Sequence, residues 1–451
     1  MAASIIEAVR RIKAEVAQWL LPETIQSICR AHGHTWRERV LDPVTTVHLF
    51  LLQMLHGNTA CNHVPRLAGV SCTGQAYGQA RTRLPLALLQ QLLRQVTSTL
   101  KEAFLDDGLW HGHRTFLVDG SGVSMPDRCQ LQAEFGQPTG QRKGCGFPVT
   151  HILAMFHAGT GFLLRVIEAP LRTHDMSRIG QLHPELGEED VLVGDRAFCS
   201  FAHLALLLAR KAHGLFRVHQ RQIVNFRPHR RATAGRPRKK GEKGLPTSRW
   251  LKRLGKHDQL VAYLKPDHRP AWMTDEQYTA LPKLITVREL RFTIARKACR
   301  TRIVTLATTL LDPIRYPADD LAELYGQRWQ IETNFRHLKQ TMKMDVLRCH
   351  TLAGVQKELT MYALVYNLVR LVMREAARRQ AVEVTRISFV DALRWLATVG
   401  VGQTAMQLVV NPLRPNRIEP RVRKRRATRY PPMSRPRTEV RNALLRKLAA
   451  A

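Results

Sequence analysis

The sequence predicts a mixed α/β protein in which a central, sheet-forming region lies between two helical regions. Apolar residues recur at helical spacing through roughly the first 108 residues, which predicts an all-helical N-terminal region. Three short β-rich segments follow, then alternating helices and strands, and long helical patterns return after residue 318. Because the chain has 451 residues, it is too long for one ordinary domain, and about two to four folded units are expected.

The N-terminal helices are predicted from apolar residues that repeat at helical spacing over residues 5–21, 47–55 and 86–105. Between the last two segments, a helix that starts at Ser71 or Thr73 is expected to point Gln79, Arg81 and Arg83 outward. This pattern is typical of a DNA-recognition helix, and the solvated face of a helical bundle is the alternative interpretation.

The central and C-terminal regions combine β-rich runs with helical periodicity. Strands are predicted at residues 114–122, 149–157, 162–167, 190–195, 215–219, 290–295 and 301–308. Helices are predicted at residues 200–211, 318–342, 351–378 and 388–397. A three-strand meander followed by alternating helices and strands is typical of a mixed α/β domain.

The charge balance indicates a polyanionic partner. Lys plus Arg total 70 against 36 Asp plus Glu, so the formal net charge is +34. Nucleic acid is the first choice because each neutralised phosphate releases a counterion. An anionic membrane surface is the second choice, but no apolar run approaches the length of a membrane span. Two basic segments are expected to be exposed, a loop or hairpin tip within residues 221–258 and a tail at residues 414–437.

The cysteines predict a reducing compartment. All eight are scattered without a Cys-x-x-Cys pair, which argues against a disulfide framework or a zinc ribbon. Cys29 with His32 and His34, and the pair His111 and His113, do not complete a zinc pattern either. The N-terminus is predicted to be an amphipathic helix and not a signal peptide, so a cytoplasmic, DNA-associated location is expected.

One helical segment concentrates functional side chains. Tyr325, Arg328, Glu332 and Lys339 fall at i, i+3, i+7 and i+14, within roughly 60° of one helix face. A carboxylate flanked by cations suggests metal-dependent phosphodiester chemistry, in which the acid holds the metal and the cations hold phosphate. The alternative is a solvated helix face.

Two aspartates supply further candidate ligands. Asp119 is predicted to end a buried strand before Gly120, and Asp195 to end another before Arg196. Open α/β sheets bind ligands at such strand ends. With Glu332, these hard oxygen donors favour magnesium or manganese. A turn residue and a local ion pair are the plainer interpretations of Asp119 and Asp195, respectively.

The spacing Tyr325-x-x-Arg328-x-x-x-Glu332-x-x-x-x-x-x-Lys339 resembles the signature of DDE-type insertion-sequence transposases of the IS-four family. The resemblance extends to Asp119-Gly120-Ser121 and to Gly194-Asp195-Arg196-Ala197-Phe198, and it covers roughly residues 110–350. Ala197 departs from the glycine that relatives often have there. A second departure is that the expected insertion is rich in Arg and Lys and poor in obvious strands, which weakens the case for base capture by Trp250 or Trp272.

The resemblance implies an RNase H-like core interrupted by a mainly β insertion. It implies that Asp119, Asp195 and Glu332 bind two Mg²⁺ ions, for which Mn²⁺ could substitute. By the same resemblance, Tyr325, Arg328 and Lys339 hold DNA phosphates beside the cut. The implied partners are double-stranded DNA, as terminal inverted repeats and target, and a second copy of the chain in a homodimer.

The expected organisation comprises five segments. These are a helical DNA-binding domain at 1–108, the core at 109–219 and 289–380, a basic, partly β insertion at 220–288, and a helical region with a basic tail at 381–451. The expected function is DNA transposition of a mobile genetic element by an Asp-Asp-Glu triad. A catalytically silent DNA-binding derivative and an RNase H-like nuclease without strand transfer are the alternatives.

Overall fold

A nine-stranded mixed sheet forms the centre of the computed structural model, which describes residues 2–140, 142, 144–232, 246–293, 303–400, 407–413 and 435–450. The strands are β1 Thr115–Ser124, β2 Val149–His157, β3 Leu163–Pro170, β4 Val191–Gly194, β5 His213–Arg217, β6 Arg249–Gly255, β7 Asp258–Leu264, β8 Leu284–Thr293 and β9 Ile303–Thr308. Their order is β3-β2-β1-β4-β5-β9-β8-β7-β6. Strands β1, β4 and β5 run parallel, and the other neighbouring pairs are antiparallel. The prediction of a mixed α/β protein is confirmed.

Helices precede, flank and follow this sheet. The N-terminal helices are α1 Ala2–Ile12, α2 Ala14–Ala17, α3 Pro22–Ala31, α4 Pro43–Leu55, α5 Val64–Ala68, α6 Gly74–Arg83 and α7 Leu86–Phe104. The later helices are α8 Cys129–Phe135, α9 Phe201–Ala209, α10 Asp275–Thr279, α11 Ala318–Gln327, α12 Trp329–Arg336, α13 Leu352–Arg379, α14 Phe389–Thr398 and α15 Arg437–Ala449. Across the described ranges, no helix is both long enough and apolar enough to cross a membrane.

Helix α13 connects the N-terminal helices to the sheet. It packs against α4 and α7 on one side and against β3 on another. The buried Asn367 accepts a hydrogen bond from the Leu163 backbone N–H at 2.8 Å and donates one to the Leu163 carbonyl at 2.9 Å. The buried Glu358 accepts from the Asn58 side chain. One large hydrophobic core runs from α1 through the sheet to α14, and Leu49, Val64 and Tyr77 form a separate, smaller cluster.

Helix α6 confirms one part of the sequence prediction and corrects another. It begins after Thr73, whose hydroxyl accepts a hydrogen bond from the Ala76 N–H at 3.1 Å, and Gln79 and Arg83 are exposed. Arg81, expected to point outward, instead lies over the Phe50 ring and donates to the Gln53 side chain at 2.7 Å. The reason is that Gln53 is buried and its carbonyl oxygen needs donors.

The region between β5 and β9 adds three antiparallel strands, β6, β7 and β8, to the same sheet, so the expectation that the insertion is poor in strands is wrong. Within it, Arg227 and Arg231 are exposed, whereas Arg230 donates to Ser248 and to the Asn225 carbonyl. Five other basic residues of the predicted loop lie outside the described residues, namely Arg236, Arg238, Lys239, Lys240 and Lys243. Residues 414–434 of the predicted basic tail also lie outside them.

Candidate active site

The sheet brings Asp119 and Asp195 together through strand register. Parallel strands β1 and β4 pair Leu117 with Val193, and each aspartate follows two residues later in its own chain segment. Asp195 comes directly after β4 and caps a short 3-10 helix at Arg196–Phe198, where its carboxylate accepts the Ala197 N–H at 2.7 Å. The two carboxylates are therefore neighbours where β4 ends.

The expectation that β1 ends at Asp119 is wrong. The strand continues to Ser124 and pairs Gly120 with Leu153 and Gly122 with His151 on β2. Gly120 therefore does not mark a turn. Its lack of a side chain leaves room for two groups that press against β1, since an added Cβ would lie 2.6 Å from both the Asp175 Oδ1 and the His151 Nε2.

Asp119 carries an unusual charge environment. Burial raises the pKa of Asp119 to about 6, and the neighbouring carboxylates of Asp195 and Asp175 act in the same direction. A hydrogen bond from the Gly120 N–H, at 2.8 Å, and the Arg328 guanidinium oppose this rise in pKa. The site thus gathers more negative charge than its cations offset, a state that a bound cation would relieve.

The helix that carries Glu332 is docked on β1 by two cations. The Arg328 guanidinium lies 3.5 Å from the Asp119 carboxylate through Nη1 and donates to Glu332 at 3.2 Å through Nη2. Lys339 Nζ donates to the Ser121 hydroxyl at 3.0 Å and to the Gly122 carbonyl at 2.7 Å. These contacts orient the helix along the strand that bears Asp119.

The predicted continuous helix at residues 318–342 is wrong in detail. The α-helix is interrupted at Arg328, between α11 and α12, and its last turn, His337–Thr341, is a π-helix. A π-turn inserts an extra residue, so spacing by 100° no longer gives the direction of Lys339. With the π-turn in place, Lys339 contacts Ser121 and Gly122, and these two contacts hold its side chain at the site.

Tyr325 lies on the same side of the helix. Burial raises the pKa of the Tyr325 hydroxyl, while the Arg328 and Arg217 guanidinium groups lower it and Asp195 raises it. The phenol is therefore close to both Arg328 and Asp195. Glu332, in turn, is linked to Asp119 through Arg328, which contacts both carboxylates.

The donor set fits a divalent metal in its chemistry. Asp119, Asp195 and Glu332 offer carboxylate oxygens, which hard cations prefer. In the ranges that the structure describes, however, no three His, Cys, Asp or Glu side chains are already grouped to hold a metal. The Glu332 side chain is 47% exposed and held by Arg328, so a shared metal requires Glu332 to move towards the aspartates.

Three residues near the site were not predicted from the sequence. The Nε2 of His151, on β2, donates to the carboxylate of Asp175, which opens a 3-10 helix at Asp175–Ser177. No local pattern links these two residues, which lie 24 positions apart. Trp329 is 64% exposed beside Arg328, whose guanidinium lies 5.4 Å from the ring centroid. A tryptophan on the polar face of the motif helix was the available signal for it.

The weaker sequence candidates are accounted for by ordinary contacts. His32 bonds to Gln91, and His111 to Asp320. Trp272 packs against the hydrophobic core. The ring of Trp250 lies against that of His229, with 4.4 Å between the ring centroids.

The family model described as "Transposase DDE domain" matches residues 110–368, which is more than half of the chain. The chain belongs to this family of DDE transposases. It is 26% identical over 385 residues to transposase InsG of insertion sequence element IS4 from Escherichia coli (strain K12), covering 77% of this chain and 78% of that protein. It is also 26% identical over 161 residues to putative transposase InsZ of the same organism, covering 35% of this chain and 51% of that protein.

A solved piggyBac transposase synaptic complex with hairpin DNA has a TM-score of 0.45 and 12% identity, covering 86% of this chain and 79% of that one. The family membership confirms the predicted function. This DDE transposase is an enzyme of DNA transposition that cuts DNA and transfers the cut strand. Membership also implies the use of a divalent metal, without naming the ion.

Proposed function

We propose that this transposase cuts and joins DNA at the ends of an insertion sequence with Asp119, Asp195 and Glu332 as the metal-binding, catalytic triad. The observation that carries the proposal is the register of β1 and β4, which makes Asp119 and Asp195 neighbours. The link from Asp119 through Arg328 to Glu332 supports the third member. We interpret the order β3-β2-β1-β4-β5 as an RNase H-like core.

The proposed cofactor is a pair of Mg²⁺ ions, with Mn²⁺ as a substitute. When bound, such ions activate the attacking oxygen and stabilise the leaving oxygen of a phosphodiester. Asp119 and Asp195 hold fixed positions for this purpose, because each accepts a backbone N–H near its own strand. Glu332 completes the set after Arg328 releases it.

Arg328, Lys339 and Tyr325 are proposed to bind the DNA phosphates beside the cut. Arg328 now divides its guanidinium between two carboxylates, and the same planar fork suits the two oxygens of a phosphate. Lys339 acts as a point charge next to Gly122. Trp329, exposed on the same helix, offers a ring on which an unpaired base at the cut end could stack.

The proposed partners are the terminal inverted repeats, target DNA and a second copy of the chain in a homodimer, in the bacterial cytoplasm. Exposed Gln79 and Arg83 on α6 support a DNA-binding role for residues 1–108. We retain the core at 109–219 and 289–380, the insertion at 220–288 and the C-terminal region at 381–451. The strands β6 and β7 support the β character of the insertion.

The deciding experiment incubates the purified protein with DNA that carries its own element ends, in Mg²⁺ and in EDTA, beside Glu332→Gln. Cuts at the ends that require both Mg²⁺ and Glu332, together with joined products, would support the proposal. Cuts without joined products would instead indicate a nuclease. Sequence-specific binding without any cut would indicate a silent derivative.

A further inference from the structure

Beside the proposed triad lies a further acidic side chain, Asp175, that pairs with a histidine. Asp175 begins the 3-10 helix Asp175–Ser177 and accepts a hydrogen bond from His151 on β2. Both side chains are about one-fifth exposed, at 20% and 22%. The pair packs against Gly120, the residue that follows Asp119. Asp175 is therefore accessible to solvent and lies against the residue next to Asp119.

The placement of Asp175 concerns both aspartates of the site. Its 3-10 helix contacts the 3-10 helix Arg196–Phe198 that Asp195 caps. Three carboxylates thus share one region of the sheet, where Arg328 contacts Asp119 and the His151 ring contacts Asp175.

A purely structural role does not account for this arrangement. A partly buried pair of this kind gains little net stability, because the lost hydration of both groups offsets their attraction. The Asp175 carboxylate also places a third negative charge beside those of Asp119 and Asp195. Their repulsion disfavours the protein without a bound cation and favours the protein with one. Gly120 is also left without a side chain, so that the pair can approach the backbone of β1.

Resting on the proposed function, we propose that Asp175, held by His151, is a fourth acidic group of the site. It is a positioning residue that fixes the Asp119 segment of β1 and adds a negative charge that strengthens divalent-cation binding. The inference concerns residues that the Asp-Asp-Glu assignment does not include.

Asp175→Asn tests the charge, because asparagine keeps the shape and the acceptor oxygen for His151. Mn²⁺ binding to the full chain without DNA is measured by calorimetry or by the electron paramagnetic resonance of free Mn²⁺. We expect Mn²⁺ to bind about five- to tenfold more weakly than in the unsubstituted protein. Asp275→Asn is the matched control, since Asp275 also pairs with a basic side chain, Arg269, but on α10, and it should change the affinity by less than about twofold.

Gly120→Ala tests the positioning without removing any acid. The added methyl group meets both His151 and Asp175, so it should displace them and weaken Mn²⁺ binding to a similar degree as Asp175→Asn. Thermal unfolding of each variant establishes that it is folded. A variant that unfolds earlier but binds Mn²⁺ normally would show a structural role and overturn the inference.

The controls separate this inference from the proposed function. If Asp119→Asn abolishes Mn²⁺ binding while Asp175→Asn and Gly120→Ala leave it unchanged, Asp175 has no such role and the triad stands. If Mn²⁺ binding does not depend on Asp119 either, the metal site itself is wrong and both proposals fail.

Discussion

The strand-borne acids and the helix-borne acid of this transposase are held in different ways. Asp119 stands on β1 and Asp195 directly follows the neighbouring strand β4, so ladder register sets their separation and backbone N–H groups fix their carboxylates. Glu332 stands on α12, is 47% exposed, and is held by Arg328. The comparison teaches that two of the three proposed metal ligands are built into the sheet before any metal binds, whereas the proposed third, Glu332, has to be recruited.

The largest expected effect comes from removing one acid of each kind. Asp195→Asn and Glu332→Gln should each lower the rate of end cleavage by about three orders of magnitude or more, because metal-assisted chemistry needs both ligands. They should differ in Mn²⁺ binding to the free protein. Asp195→Asn should abolish it, and Glu332→Gln should weaken it only about two- to fivefold, since an exposed, displaced ligand adds little.

Cleavage assays on end DNA and calorimetric Mn²⁺ titrations measure these two quantities. DNA affinity, measured in EDTA, serves as the control and should stay within about twofold of the unsubstituted protein, since neither acid attracts phosphate. Equal loss of Mn²⁺ binding in both variants would mean that Glu332 is already a full ligand, which contradicts the recruitment model.

How much the sequence predicts follows the same division. Buried strands and the acids at or near their ends can be inferred locally, so Asp119 and Asp195 were placed near each other correctly even though β1 runs on to Ser124. The helix face of Tyr325, Arg328, Glu332 and Lys339 was also inferred from periodicity. Periodicity assumes an unbroken α-helix, and it missed both the interruption at Arg328 and the π-turn that carries Lys339.

Contacts between distant segments could not be predicted from one sequence. The pairing of His151 with Asp175 depends on how a strand and a 3-10 helix meet over Gly120. Arg81 turns inward because a buried glutamine from α4 lies opposite it. In both cases the decisive partner is chosen by tertiary packing, which overrides the local pattern of charged residues.

A smaller effect is expected at the link between the two kinds of acid. Arg328→Lys keeps the charge but removes the planar fork that contacts Asp119 and Glu332 together. End cleavage at saturating Mg²⁺ should fall about 10- to 100-fold, because a phosphate loses its bidentate partner. Arg269→Lys, at the exposed pair with Asp275, is the matched control and should cleave normally. Unchanged cleavage in Arg328→Lys would exclude a bidentate role.

The smallest effect is on stability, and it distinguishes the built-in acid from the recruited one. Because the folded-state pKa of Asp119 is raised to about 6 from 3.8, the stabilising contribution of its protonated form is full below pH 4. It is lost as the pH rises through 6. In EDTA, the free energy of unfolding of Asp119→Asn, relative to that of the unsubstituted protein, should therefore rise by about 1–3 kcal/mol from pH 4 to pH 7. Glu332→Gln should stay within about 0.5 kcal/mol at both pH values, as exposed pairs do.

Urea unfolding at pH 4 and pH 7 measures these differences in the free energy of unfolding. The effect of added Mg²⁺ on stability is a second measurement. Added Mg²⁺ should stabilise the unsubstituted protein at pH 7 but not Asp119→Asn, because a ligand that binds only the folded state raises its stability. A stability difference between the two proteins that is the same at pH 4 and pH 7 would show that Asp119 does not carry the uncompensated charge. The carboxylates of Asp119 and Asp195 would then carry no uncompensated charge. There would be no electrostatic reason to expect a cation to bind to them before it binds to Glu332.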